Sequence, residues 1–306
     1  MKKQLIAAAV AATMASVATA DISITGGAKV NYTNVDSETN SNDTNTFKHD
    51  VDFTVVGKTG NTTTSMTVSN AVTSGTTKQD GLTVENVYVA SKIGDVNVKM
   101  GQWAGSDTLL SDGSRSSGKF SADTTVGGVK IQFEDQNDSL SSVTLSGNIA
   151  GAAISHEIWS NKTDSKISGT VAGITGEYRS IDADAANSDA ESLELSYTMN
   201  DVTLSYVDVD VDGTGTVSSD TWLGTVAAIN EASGFGASTS VAGNKVAIKS
   251  YDIKTSSTAS DDSYTKIIVT RPLASGATFE ATYTDLDSAT AGSDSETLDL
   301  ELAVKF

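Results

Sequence analysis

The chain contains no cysteine and one proline among its 306 residues. Without thiols there is no disulfide framework and no cysteine-ligated metal. That suits a chain crossing an oxidising compartment, where a stray thiol would be at risk. Histidine is nearly absent: His49 and His156 are the two imidazoles. Neither stands in a nucleophile-base arrangement, since Ser155-His156-Glu157 puts neighbours on opposite faces of a strand, and the expectation is no enzyme. Turns such as Gly234-Phe235-Gly236 do not open a helix and are not phosphate loops. Bases are scarce, with 20 Lys and Arg against 39 acids and a net charge of -19. A surface this negative excludes nucleic acid as a partner, because such binding draws its affinity from neutralised phosphates. Long apolar runs are missing too. The longest, Leu5 to Val17, is 13 residues, short of the roughly 17 to 25 that cross a bilayer as a helix.

That stretch follows Lys2 and Lys3 and precedes the small residues Ala18-Thr19-Ala20, the layout of a cleaved secretory signal peptide over residues 1–20. Its removal leaves 286 residues, 21–306, as one domain, with a net charge of about -21 once Lys2 and Lys3 are gone. If this domain enters a membrane, it crosses as strands.

What is present throughout is alternation. Ile22, Ile24, Ala28, Val30 and Tyr32 share one face while Ser23, Thr25, Lys29 and Asn31 share the other. Leu193, Leu195, Tyr197 and Met199 alternate with Glu194, Ser196 and Thr198; across Asn200-Asp201, Val202, Leu204 and Tyr206 alternate with Thr203 and Ser205. Eight short connections carry turn chemistry, among them Gly60-Asn61, Gly127-Gly128 and Ala150-Gly151. They interleave with nine longer polar ones. Short connections on one side and longer ones on the other are the layout of a transmembrane antiparallel β-barrel, and the literal count is 18 strands. Aromatics near strand ends, including Tyr32, Phe47, Tyr88, Trp103, Phe120, Trp159, Tyr178, Tyr206, Trp222, Tyr264 and Tyr283, fit girdles at the lipid headgroups.

The last nine residues alternate without a break and finish on Phe306. Leu298, Leu300, Leu302, Val304 and Phe306 make a lipid-grade face; Asp299, Glu301 and Lys305 suit a water-filled lumen. The end resembles the C-terminal targeting strand of Gram-negative outer-membrane proteins, which implies Leu302, Val304 and Phe306 as the signal read by the barrel-assembly machinery.

With the start Asp21-Ile22-Ser23-Ile24-Thr25-Gly26-Gly27, hairpins throughout and the terminal Phe306, the chain resembles the Gram-negative general porins. The resemblance implies an outer-membrane homotrimer of 16-stranded barrels, each a water-filled channel narrowed by its third extracellular loop. Val96 to Trp103 resembles the family's fifth strand, so Ala104 to Gly118 takes the place of the constriction loop, with Asp107, Asp112 and Arg115 at the constriction. The loop is short for the family, and its arginine wall has few candidates here. Alternation places Lys29, Asp50, Asp52, Lys99, Lys119, Asp123, Lys130, Glu134, Glu194, Glu280, Asp299 and Glu301 on the lumen. On that count acids outnumber bases, which predicts cation preference.

Asp208-Val209-Asp210-Val211-Asp212-Gly213 matches the opening of a calcium loop, but Ser219 stands where the bidentate Glu belongs. Asp208, Asp210 and Asp212 are therefore candidates for calcium shared among acidic extracellular loops, and no other cofactor is expected. The leading functional expectation is passive diffusion of small hydrophilic solutes and ions across the outer membrane. The alternatives are a substrate-specific channel with a binding constriction and a secreted all-β adhesin or surface protein.

Overall fold

The computed structural model describes residues 21–38, 44–73, 82–105, 109–110, 115–136, 141–184, 189–213, 216–256, 258–273, 276–290 and 292–306. The expected signal peptide, Asp107 and Asp112 lie outside them. The first ten strands are β1 (Asp21–Ser37), β2 (Thr44–Thr59), β3 (Thr62–Thr73), β4 (Thr83–Ile93), β5 (Val96–Ala104), β6 (Arg115–Val126), β7 (Val129–Gln136), β8 (Ser142–Ile149), β9 (Ala152–Trp159) and β10 (Lys162–Val171). The rest are β11 (Ile174–Ala183), β12 (Ala190–Met199), β13 (Val202–Val211), β14 (Val217–Thr221), β15 (Gly224–Ile229), β16 (Glu231–Val241), β17 (Asn244–Lys254), β18 (Asp262–Pro272), β19 (Ala277–Asp287) and β20 (Ser295–Lys305).

Eighteen of these form one antiparallel sheet in which each strand pairs with its sequence neighbours, β13 pairs with β16, and β1 pairs with both β2 and β20. The sheet therefore closes on itself and leaves no edge strand. The literal count of 18 holds; the 16 implied by the family resemblance does not. The remaining two strands, β14 and β15, form a separate hairpin between β13 and β16.

At one end of the barrel the connections, except the longer one between β18 and β19, are two-residue turns with positive φ, for example Ala150 at 51° with Gly151 at 90° and Ala242 at 49° with Gly243 at 80°. Their twist matches that of the flanking strands. The seam is sealed by a reciprocal pair, Gly26 N to Phe306 O at 2.8 Å and Phe306 N to Gly26 O at 3.0 Å. Gly26 is required there, because a Cβ would meet Asp52 O at 2.5 Å and the Phe306 ring at 2.9 Å.

Exposed Ile, Val, Leu, Met and Phe run around the outside, including Ile22, Ile24, Met100, Ile149, Leu204, Ile248, Leu302 and Phe306. Hydroxyl, amide and charged side chains fill the opposite rows. This inside-out pattern is that of an outer-membrane barrel: hydrocarbon outside, water inside.

Candidate pore constriction

Strand register decides which side chains share the lumen. Lys29 stands opposite Asp50, and Asn31 Nδ2 donates to Glu301 at 3.0 Å while Thr33 Oγ1 donates to Asp299 at 2.5 Å. Asn97 donates to Asp123 at 2.9 Å, and Thr270 to Glu280 at 2.8 Å. The wall from β6 to β11 is laced with ion pairs: Lys119 with Glu134 at 3.4 Å, Lys130 with Asp123 at 3.6 Å, Lys166 with Glu177 at 3.4 Å, and Arg179 Nε with Asp164 at 2.9 Å. All twelve residues assigned to the lumen from sequence fall on inward rows. Glu85, beside a slip in strand phase, joins them through a bulge opposite Thr67 and Val68, and accepts a hydrogen bond from Ser69.

The same register places further bases inside, namely Lys48, Lys92, Lys162, Lys166, Arg179, Lys245, Lys249, Lys266 and Lys305. Glu157, Asp164, Glu177 and Asp262 fall inside as well, so lumen acids and bases come close to balance and the expected excess of acids is not seen. Much of the acidity lies instead on the outer rows near the longer loops, where Asp208 and Asp210 stand beside Ser233 and Glu231.

Among the described residues, the segment between β13 and β16 occupies the interior. Its β14–β15 hairpin turns at Trp222 and Leu223 and lies against the inner faces of β13, β16 and β17. Leu223 and Ile229 are 1% and 0% exposed, packed in one apolar cluster with Val207, Val209, Val211, Ala232, Tyr251 and Ile253. Trp222 Nε1 donates to Ser205 Oγ at 3.2 Å, and Lys249 Nζ donates to the Trp222 carbonyl at 2.7 Å while lying 4.7 Å from the ring. The ring sits over a floor of glycine: a Cβ at Gly234 or Gly236 would stand 3.0 Å from it. Buried Asn230 ties the root, donating to Val211 O at 3.1 Å and Gly213 O at 3.3 Å.

Of the connection between β5 and β6, Leu109 and Leu110 are described; 2% and 4% exposed, they belong to the same apolar cluster. That cluster is built on β11 to β13, β16 and β17, so these two side chains pack with the hairpin rather than against β5 and β6. Arg115 pairs with Ala104 at the start of β6.

All three tryptophans face inward, each with a lysine amine near its ring. Lys99 lies 4.2 Å from Trp103 and 4.0 Å from Tyr88, and Lys162 lies 5.5 Å from Trp159. The expected girdle therefore loses Tyr88, Trp103, Trp159, Trp222 and Tyr264 to the lumen. It keeps Tyr32 and Phe47, whose centroids are 4.9 Å apart, with Phe120, Tyr178, Tyr206 and Tyr283. Trp103 follows Lys99 and Gly101 on the inward row of β5; Gly101 has a φ of 140°, and a Cβ there would strike Val87 O.

Asp208 and Asp210 point outward, with Tyr206 Oη donating to Asp208 at 3.1 Å. With Asp212 they line one space that Asp182, Asp189 and Glu191 also border. Among the described residues no group of three acidic or histidine side chains could hold a metal ion. His49 and His156 also face outward, opposite Val30 and Leu145.

No protein-family model and no curated protein sequence matches the chain. Solved structures do match its fold. Pseudomonas aeruginosa OpdL superposes with a TM-score of 0.70 at 8% identity, covering 94% of this chain and 99% of that one. A mutant of the Rh. blastica porin gives 0.58 at 11% identity, covering 94% and 100%. The anion-selective porin from Comamonas acidovorans gives 0.56 at 12% identity with the same coverage. The fold is thus that of an outer-membrane porin-like β-barrel.

Proposed function

We propose that this chain forms an outer-membrane channel for passive diffusion of small hydrophilic solutes and ions. The observation that carries the reading is the closed 18-stranded wall with an apolar outside and a charged, hydroxyl-rich inside. Such a wall has no use in water, which argues against a secreted adhesin. An interior partly filled by the β14–β15 hairpin with Leu109 and Leu110 supports selection by size. Swelling of protein-containing liposomes in small sugars and amino acids tests it. Rates falling steeply with solute size are expected, and liposomes indistinguishable from empty ones would refute it.

Ion preference is the finer part of the reading. The chain's charge of -19 supports a weak cation preference set at the mouth, where loop and outer-row acids concentrate. The lumen, with its many lysines, adds little to it. Homotrimer formation and targeting through Phe306 are proposals resting on resemblance, and export with a cleaved signal peptide is one resting on the layout of residues 1–20. Chromatography with light scattering tests the first of them.

A further inference from the structure

We propose that the space beside the β14–β15 hairpin is a subsite for a neutral polyhydroxyl solute, a mono- or disaccharide, on its way through the pore. The proposal deepens the channel reading and rests on it. The space is a cavity of about 620 Å³, inside the roughly 300–1,000 Å³ range of small-ligand sites. Its floor is two rows of inward polar groups. Ser168, Glu177 and Glu194 line up across β10, β11 and β12, and Ser196 and Ser205 adjoin them on β12 and β13. The half-buried Trp222 closes one side, its ring held in place by the Ser205 bond and the glycine floor.

The chemistry of these groups selects among solute classes. Carboxylates accept hydrogen bonds from hydroxyls, serines both donate and accept, and a flat indole offers the apolar platform that the C–H face of a sugar ring needs. A cation gains less here. Glu177 is already paired with Lys166 at 3.4 Å, and the Lys249 amine, held at the Trp222 carbonyl at 2.7 Å, brings a fixed positive charge that repels a cation but not a neutral ring. An anion would face two carboxylates side by side. A neutral polyol meets neither penalty. Glu194 makes no side-chain hydrogen bond among the described residues, so its oxygens are open to a hydroxyl.

The test is titration of single channels in planar bilayers, in potassium chloride, with sucrose as the probe and glycerol at matched osmolality as the control. Current block that saturates with sucrose and not with glycerol is expected. It should weaken at least tenfold in Trp222→Ala and several-fold in Glu194→Gln. Since Trp222→Ala also loosens the hairpin, Glu194→Gln, whose side chain anchors nothing, is the deciding variant. Saturable block by tetraethylammonium with none by sucrose overturns the proposal, as does block by sucrose that is unchanged in Glu194→Gln. A conducting channel showing only a linear, viscosity-like decline also overturns it and leaves the channel reading standing. Absence of any conductance would instead be the failure of the channel reading.

Discussion

Substituting Val304 by arginine places a charge in the hydrocarbon, whereas the same change at Asp299, on the other face of the strand, places it in the lumen. Val304 sits on the outer row of β20, beside Ala277 of β19 and Ala28 of β1. Successive outward residues are about 6.8 Å apart along a strand, or about 5 Å along the membrane normal at a tilt near 40°. Leu300 pairs with Tyr32 of the aromatic girdle, and Val304 lies two outward steps, about 10 Å, further in, near the centre of a band roughly 25 Å tall. Arginine costs about 2–4 kcal/mol there. That lowers the ratio of folded to unfolded protein about 30- to 800-fold. Asp299→Arg loses one hydrogen bond from Thr33, about 1 kcal/mol, and buries no charge in lipid. Reversible urea unfolding in phosphatidylcholine vesicles, followed by tryptophan fluorescence, measures both. Equal losses at the two positions would mean that β20 is buried on both faces, and the barrel argument would fail.

Three further outcomes follow from the same geometry. Gly26→Val should displace the Phe306 ring from the seam and lower outer-membrane levels, as should deletion of Phe306; normal surface levels of both variants would refute the targeting role. Replacing residues 214–228 by a short glycine linker should raise single-channel conductance, because the hairpin leaves the lumen, and so to a smaller extent should Leu109→Ser with Leu110→Ser; unchanged conductance would put the constriction elsewhere. Lys249→Glu with Lys266→Glu should strengthen cation preference in a salt gradient, and no change would show that these lysines do not border the ion path.

Where each strand meets lipid on one side and water on the other, the pattern was legible. β20 and the β12–β13 hairpin alternate strictly, so their lumen residues could be assigned from period alone. The pattern inverts near the longer loops of β13, where Val207, Val209 and Val211 face in and Asp208 and Asp210 face out. Outside, that level is wet; inside, it is covered by the hairpin. Nothing in local periodicity reveals a cover supplied by another segment. Leu223 and Ile229 were hidden for the same reason, as they pack on a wall rather than in a sheet. The signal available was length, since Asp212 to Asn230 is long for a connection and carries Trp222, Leu223 and Ile229. Tryptophans near strand ends fit a headgroup girdle or a lumen equally well. Trp103 shares the parity of Lys99 and Gly101 on β5, so alternation there pointed to the lumen although its place near a strand end suggested the girdle.

The measurement that bears most directly on the central claim is the current through purified, refolded protein in a planar bilayer separating unequal potassium chloride solutions. Discrete conductance steps are expected, with a reversal potential of the cation-selective sign at 0.1 M. That potential should shrink towards zero at 1 M, as the screening length falls from about 10 Å to about 3 Å. A strongly anion-selective channel would contradict the charge reading alone. A folded, bilayer-inserted barrel that passes no current would contradict the account itself.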